Sequence, residues 1–368
     1  MMSNRRFSIL ILAATLFVVT AACICIPYVP FTPQPSTPTG LPLVMVAPSA
    51  TIMVAPSATI IETATQTASP TPQIVCPSLL SEMLIASEGD GSHARTYGRK
   101  LPTIHEEQTL VIYRVEGGQL TGSTLSAIPA KLRPYQQDTA THEAIWDYFT
   151  TIIPANQREI VNQYVIFTDG QYNILAAVEQ DGYDPARWSL GVDILDSADR
   201  KALGATLLHE FGHLLTLNTS QVVIEMNLHD NPDDAQAAAA CQQYFLPSRC
   251  CADEGCSQSN SYINHFHRVF WTAIYAEWEQ IKAIEDQDEY DRRLYDFYEA
   301  YQRQFVTEYT ATSPEEDIAE SWMFFILEPK PAGDTIAEQK ILFFYDWPEL
   351  VQLRGEIISR VCTYFNQP

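Results

Sequence analysis

Leu207-Leu-His-Glu-Phe-Gly-His-Leu-Leu-Thr-Leu217 is the stretch on which the reading of this chain turns. Within it His209, Glu210 and His213 form the pattern H-E-x-x-H. Residues four apart share one face of a helix, so the two imidazoles can converge on a single metal ion with Glu210 beside them. The flanks, Ala202, Leu203, Ala205, Leu207 and Leu208 before it and Leu214, Leu215 and Leu217 after it, are apolar on nearly every side, which predicts a buried helix. Two histidines and a glutamate in such a helix need a reason to be there, and a metal supplies one.

A catalytic zinc centre needs three protein ligands and a fourth position for water. The extended pattern that adds a nearby third histidine is absent, because Thr216 and Thr219 stand where its glycine and histidine would be. The third ligand must therefore come from a distant segment. The best source is Phe305 to Trp322, where Glu316 and Glu320 lie one turn apart in an apolar helix. Ser313-Pro-Glu-Glu316 also fits a capping box, in which Glu316 would reach back to the N-cap amide and Glu320 would become the ligand.

Glu316-Asp-Ile-Ala-Glu320, taken with His209-Glu-Phe-Gly-His213, resembles the gluzincin metallopeptidases, closest to the anthrax lethal factor and Pro-Pro endopeptidase type. The resemblance implies one Zn2+ held by His209, His213 and Glu316, with Glu320 supporting the site from behind. It also implies that Tyr309, seven residues before Glu316, faces the reacting carbonyl. It covers two short segments, and the interval between them is longer than is usual in that type. The expected fold class is α+β and zincin-like, with a small antiparallel sheet, a central H-E-x-x-H helix and a mostly helical C-terminal half.

Outside this core the N-terminus carries Arg5 and Arg6, an apolar run from Phe7 to Ala22, and then Cys23. This is the layout of a secretory signal over residues 1–22. Thr20-Ala-Ala-Cys23 resembles a bacterial lipoprotein box, which would make Cys23 the lipidated residue. An ordinary cleaved signal and an uncleaved anchor are the alternatives, since the apolar run extends to Ile26. Each places the rest of the chain outside the cytoplasm. Residues 23–75 are rich in Pro, Thr and Ser and repeat Met45-Val-Ala-Pro-Ser-Ala-Thr-Ile52 as Met53 to Ile60, a composition that reads as a semi-extended tether. Residues 76–368 form the expected metallopeptidase domain, with a cysteine-bearing insertion at 227–264.

The formal charge of −23 excludes a general affinity for nucleic acid or for anionic membrane surfaces. Of the eight cysteines, Cys76, Cys241, Cys250, Cys251, Cys256 and Cys362 belong to the exported part, and an even number in an oxidising compartment reads as disulfides. A bridge from Cys76 to Cys362 would tie the ends of the domain together.

Three apolar runs, Tyr164 to Thr168, Ile174 to Glu179 and Trp188 to Leu195, read as an antiparallel meander turned first at Asp169-Gly170, whose last strand could pair with an extended peptide. Helices are expected near Leu79–Ala86, Thr141–Ile153, Phe266–Ile284, Glu289–Phe305 and Glu349–Phe365. His265 and His267, two apart, read as packing or surface residues, and Asp230, Asp233 and Asp234 as solvated charge.

The functional expectation is an extracytoplasmic, membrane-anchored zinc metalloendopeptidase that acts on a peptide or protein substrate as a monomer. Glu210 is its general base and Tyr309 its oxyanion donor. The alternatives are a catalytically inactive binding or adhesion module of the same fold and, further off, a non-proteolytic zinc hydrolase.

Overall fold

The computed structural model describes residues 76–88, 107–169, 174–224, 251–252 and 255–366. The predicted signal and tether, and with them Cys23, lie outside these residues, as do Cys241, Cys250, Asp230, Asp233 and Asp234. All described residues fall in one compact unit.

The fold is α+β. Helix α1 (Pro77–Glu88) is followed by strands β1 (Gln108–Glu116) and β2 (Gln119–Leu125), a short α2 (Arg133–Gln136) and α3 (Thr139–Ile152). Strands β3 (Val161–Thr168), β4 (Ala176–Gln180) and β5 (Trp188–Asp193) lead into α4 (Arg200–Leu217). A small sheet follows, made of β6 (Val222–Val223), β7 (Cys251–Ala252) and β8 (Gly255–Ser257). The rest is helical: α5 (Tyr262–Phe266), α6 (Tyr275–Lys282), α7 (Gln287–Tyr301), α8 (Pro314–Leu327), α9 (Ile336–Phe343) and α10 (Pro348–Phe365). Among these described residues no helix is long and apolar enough to cross a membrane.

The main sheet corrects one expectation. Its order is β2-β1-β3-β5-β4, and β3 pairs with β5 in parallel, so the sheet is mixed and the three runs are not a meander. The physical reason lies in the strands themselves. In β5 five of six residues are buried, which suits an interior strand walled on both faces. Strand β4 reads Ala-Ala-Val-Glu-Gln and is buried only at Ala176, which suits an edge. The chain therefore places β4 outermost and returns to insert β5 between it and β3. In consequence Trp188–Leu195 has a neighbouring strand on each side, and the strand at that edge of the sheet is β4.

The sequence reading also overlooked β2. Gly117 and Gly118 both hold positive φ (58° and 79°), the requirement of a tight two-residue hairpin turn, and they fold β2 back onto β1. Almost every side chain of β2 is exposed, so it carries no apolar alternation to announce it.

Helix α4 is as buried as its composition predicts. Asp199 caps it by accepting the Lys201 and Ala202 amides, and from Ala202 to Leu217 only Thr206 escapes full burial. Its end is set by Asn218, whose side-chain amide donates to the Leu214 and Leu215 carbonyls. One continuous core joins Tyr164, Ile166, Leu190 and Val192 of the sheet to Ile145 and Phe149 of α3 and to Leu203, Leu207 and Phe211 of α4.

The predicted Phe266–Ile284 helix is broken. A π-helical turn over His267–Trp271 separates α5 from α6. His267 is buried against Tyr275 and His265 packs on Phe343 and Trp347, in keeping with packing roles. Cys76 and Cys362 are joined in a disulfide, and Cys256 is also disulfide-bonded.

Candidate metal centre

Helices α4 and α8 cross in close contact, and two small residues make this possible. A Cβ built on Gly212 would stand 2.8 Å from the Ala319 Cα and 3.0 Å from its carbonyl oxygen. Gly212 lies inside H-E-x-x-H and Ala319 inside the Glu316–Glu320 segment, so the contact between the helices is also the contact between the two motifs.

Across this contact the side chains meet. The His209 Nε2 lies 3.0 Å from the Glu316 Oε2 and 3.2 Å from the His213 Nε2, and the His213 Nε2 lies 3.4 Å from the same Glu316 oxygen. Three donors on a tetrahedral ion with bonds of about 2.0–2.1 Å would be spaced about 3.3 Å apart. The two nitrogens and one oxygen match that spacing and the ligand preference of a borderline divalent cation, so these three residues can hold a metal ion.

Glu320 has a different place. Its Oε2 lies 2.7 Å from the His209 Nδ1, on the side of the ring away from Nε2, while its Oε1 accepts from the Thr307 hydroxyl at 3.3 Å. A carboxylate on Nδ1 fixes the tautomer that presents Nε2 and orients the ring. The capping alternative is met only in part. Ser313 accepts the Glu316 amide at 3.1 Å and starts α8, but the Glu316 carboxylate faces the two histidines.

The electrostatics follow from burial and proximity. Desolvation opposes charge on His209 and His213, yet their contacts with Glu316, and for His209 also with Glu320, outweigh it and hold both imidazoles above their ordinary value. Burial would likewise raise Glu316, but the two histidines overcome it and hold its carboxyl well below the usual range. Burial pushes Glu210 up to about 7, with His209 and His213 pulling the other way. The Glu210 Oε2 accepts the Val178 amide of β4 at 3.0 Å, which ties this carboxylate to the edge strand.

Tyr309 sits in a 3-10 turn ahead of α8, its ring 5.9 Å from that of His209 and 38% of the residue exposed. Its hydroxyl is sunk among the carboxylates. Desolvation, with Glu316 and Glu210 nearby, pushes the phenol well above its ordinary value.

All the residues expected at the site are thus brought together: His209, Glu210, His213, Tyr309, Glu316 and Glu320. The sequence reading missed Thr307 and the Val178 amide. Thr307 lies within the quoted Phe305–Trp322 segment, but nothing in its type or spacing marks it. A second group also escaped notice: Asp169, Asp193 and Asp196, all buried, offer carboxylate oxygens within 4.8 Å of one another. No family model matches the chain, and no curated protein or solved structure matches it either. The class defined by fold and site is therefore an α+β protein with an HExxH…E three-donor centre beside the edge of a mixed sheet.

Proposed function

We propose that this protein is a zinc-dependent metallopeptidase of the gluzincin kind with a zincin-like fold, exported and held at a membrane surface by its N-terminal segment. The observation that carries the proposal is the tetrahedral spacing of the His209, His213 and Glu316 donors with the Glu210 carboxylate next to them. Two imidazoles and one carboxylate, a set that would leave the fourth position of a tetrahedral ion to water, favour zinc in a hydrolytic role.

Strand β4 supports a peptide as substrate. The Leu175 carbonyl and the Asp181 amide, which flank β4, bond toward β5, while the Val178 amide points to the other side, at Glu210. An extended chain pairing along that side would bring a peptide carbonyl beside the donor cluster.

When bound, zinc would supply Lewis acidity, polarising the scissile carbonyl and lowering the pKa of a water toward about 7. Glu210 then serves as the proton carrier: it takes a proton from the attacking water and delivers it to the departing amine. Its Oε2 is steadied by Val178, so Oε1 is the oxygen for that exchange. Tyr309, kept protonated at neutral pH by its surroundings, donates a hydrogen bond to the oxyanion that forms at the carbonyl. His209 is kept in orientation by Glu320, and Glu320 by Thr307.

The test is cleavage of a peptide library by the purified protein with and without chelator, beside Glu210→Gln. The expected result is chelator-reversible cleavage that Glu210→Gln abolishes while zinc stays bound. Stoichiometric zinc without cleavage of any peptide would point instead to a binding module of the same fold.

A further inference from the structure

A lysine on a separate helix lies under two of the segments that build the site. Lys340, on α9, has no exposed surface, and its Nζ lies 2.5 Å from the Asp317 Oδ2. Asp317 follows Glu316 directly and is turned away from the donors. The same Oδ2 accepts the Trp271 indole N–H at 2.7 Å. The ammonium also stands 4.2 Å from the centre of the Phe305 ring, and 5.9 Å from those of Phe266 and Trp271. Phe305 begins the segment that runs through Thr307, which holds Glu320, to Tyr309.

A fully buried ion pair is a poor source of stability, because desolvating two charges offsets most of their attraction. Here the balance is poorer still, since the Asp317 Oδ1 has no hydrogen-bond partner among the described residues. What such a pair does offer is direction, because an ammonium boxed by aromatic rings and one carboxylate fixes both neighbours in one arrangement.

We infer that Lys340 is a positioning residue of the metal centre: through Asp317 it sets the first turn of α8 that presents Glu316, and through Phe305 it sets the segment that presents Thr307 and Tyr309. The inference rests on the metallopeptidase reading. Neither Lys340 nor Asp317 touches the donors, so their effect passes through backbone placement. Groups bonded directly to a ligand typically change metal affinity by about 10–100-fold, and a pair that acts through the backbone is expected at the low end of that range.

The test measures the Zn2+ dissociation constant by competition with a chromophoric chelator, together with thermal unfolding, in the full chain. Lys340→Met leaves the Asp317 charge buried and is expected to lower the melting temperature and weaken zinc binding. Lys340→Met combined with Asp317→Asn removes both charges while keeping an acceptor for Trp271. It is expected to regain most of the melting temperature yet to keep zinc binding weaker by about tenfold or more. A double variant that regains wild-type zinc affinity along with its stability overturns the inference, because the pair would then be only a structural element. Should the double variant not fold, Phe305→Leu decides: it keeps the ion pair and removes the ring over the ammonium. Weaker zinc binding supports the role and wild-type binding overturns it. A wild-type protein that binds no zinc sinks the metallopeptidase reading and this inference with it, whereas variants that all bind like the wild type sink the inference alone.

Discussion

A methyl group added at Gly212 should loosen the metal centre without touching a donor. In Gly212→Ala the new carbon would stand 2.8, 3.0 and 3.1 Å from the Cα, O and Cβ of Ala319. Carbon atoms pack without repulsion from about 3.5 Å, so the nearest contact needs about 0.7 Å of relief. Two of the three atoms are backbone and cannot turn aside, so α4 and α8 must separate. Overpacking of this sort costs about 1–3 kcal/mol.

The larger consequence falls on the donors, because His209 and His213 ride on α4 and Glu316 on α8. Metal sites hold their bond lengths within about 0.2 Å, and a shift of about 0.7 Å exceeds that several-fold. Zinc affinity, measured by chelator competition, should fall at least tenfold, alongside a lowered melting temperature. Gly204→Ala is the control. Its Cβ would meet the Tyr148 Oη and the Met83 Cε, the ends of side chains rather than backbone, on the same helix but against other partners. It should lower the melting temperature and spare zinc affinity. The reasoning is refuted if Gly212→Ala binds zinc like the wild type, or if both variants weaken zinc equally.

Glu316→Ala should lose stoichiometric zinc, whereas Glu320→Ala should retain it with affinity reduced by about 10–100-fold, as metal analysis after dialysis would report; the reverse order would reassign the ligand. Glu210→Gln should keep zinc and lose cleavage, and a variant with more than a tenth of wild-type turnover would remove Glu210 as proton carrier.

Acid should destabilise the fold through His267. Its ring is buried with both nitrogens unpartnered among the described residues, and burial lowers its pKa from 6.5 to about 4. Between those values the unfolded chain holds the extra proton, so stability is complete above about pH 6.5 and is lost as pH falls toward 4, by about 2 kcal/mol at pH 5. Urea midpoints at pH 7 and pH 5 should therefore lie closer together in His267→Phe than in the wild type, and an unchanged gap would exclude this origin. Cys362→Ser should cost about 2–5 kcal/mol in the same assay, since the bridge spans 286 residues, and a smaller loss would mean that the unfolded chain is already compact.

Much of the site was legible because its signals are local. The spacing of His209, Glu210 and His213 presents a donor pair on any helix, and Ser313 with Pro314 announces where α8 starts, which places Glu316 and Glu320 one turn apart on it. Even the division of labour between those two acids can be read once the helices are set face to face, since only Glu316 reaches both Nε2 atoms. The sheet was harder. The apolar runs gave strands but not their order, because inserting β5 between β3 and β4 depends on which strand can bear burial on both faces. Lys340 was invisible for a related reason. Nothing in Ile336-Ala-Glu-Gln-Lys-Ile-Leu-Phe343 distinguishes a lysine that will be enclosed by aromatic rings from one that will face water. Its role is fixed by Phe305, Trp271 and Asp317, which come from three other segments.

The Cys76–Cys362 bridge has a mechanical meaning. Cys76 stands directly before α1 and Cys362 lies in α10, and their α-carbons are 6.0 Å apart, so the two ends of the stretch from Cys76 to Cys362 are fastened at one knot. Tension applied between these two flanks runs through the sulfur atoms and leaves the intervening helices and strands slack. A cut in any loop between them would still leave both pieces fastened together at that point.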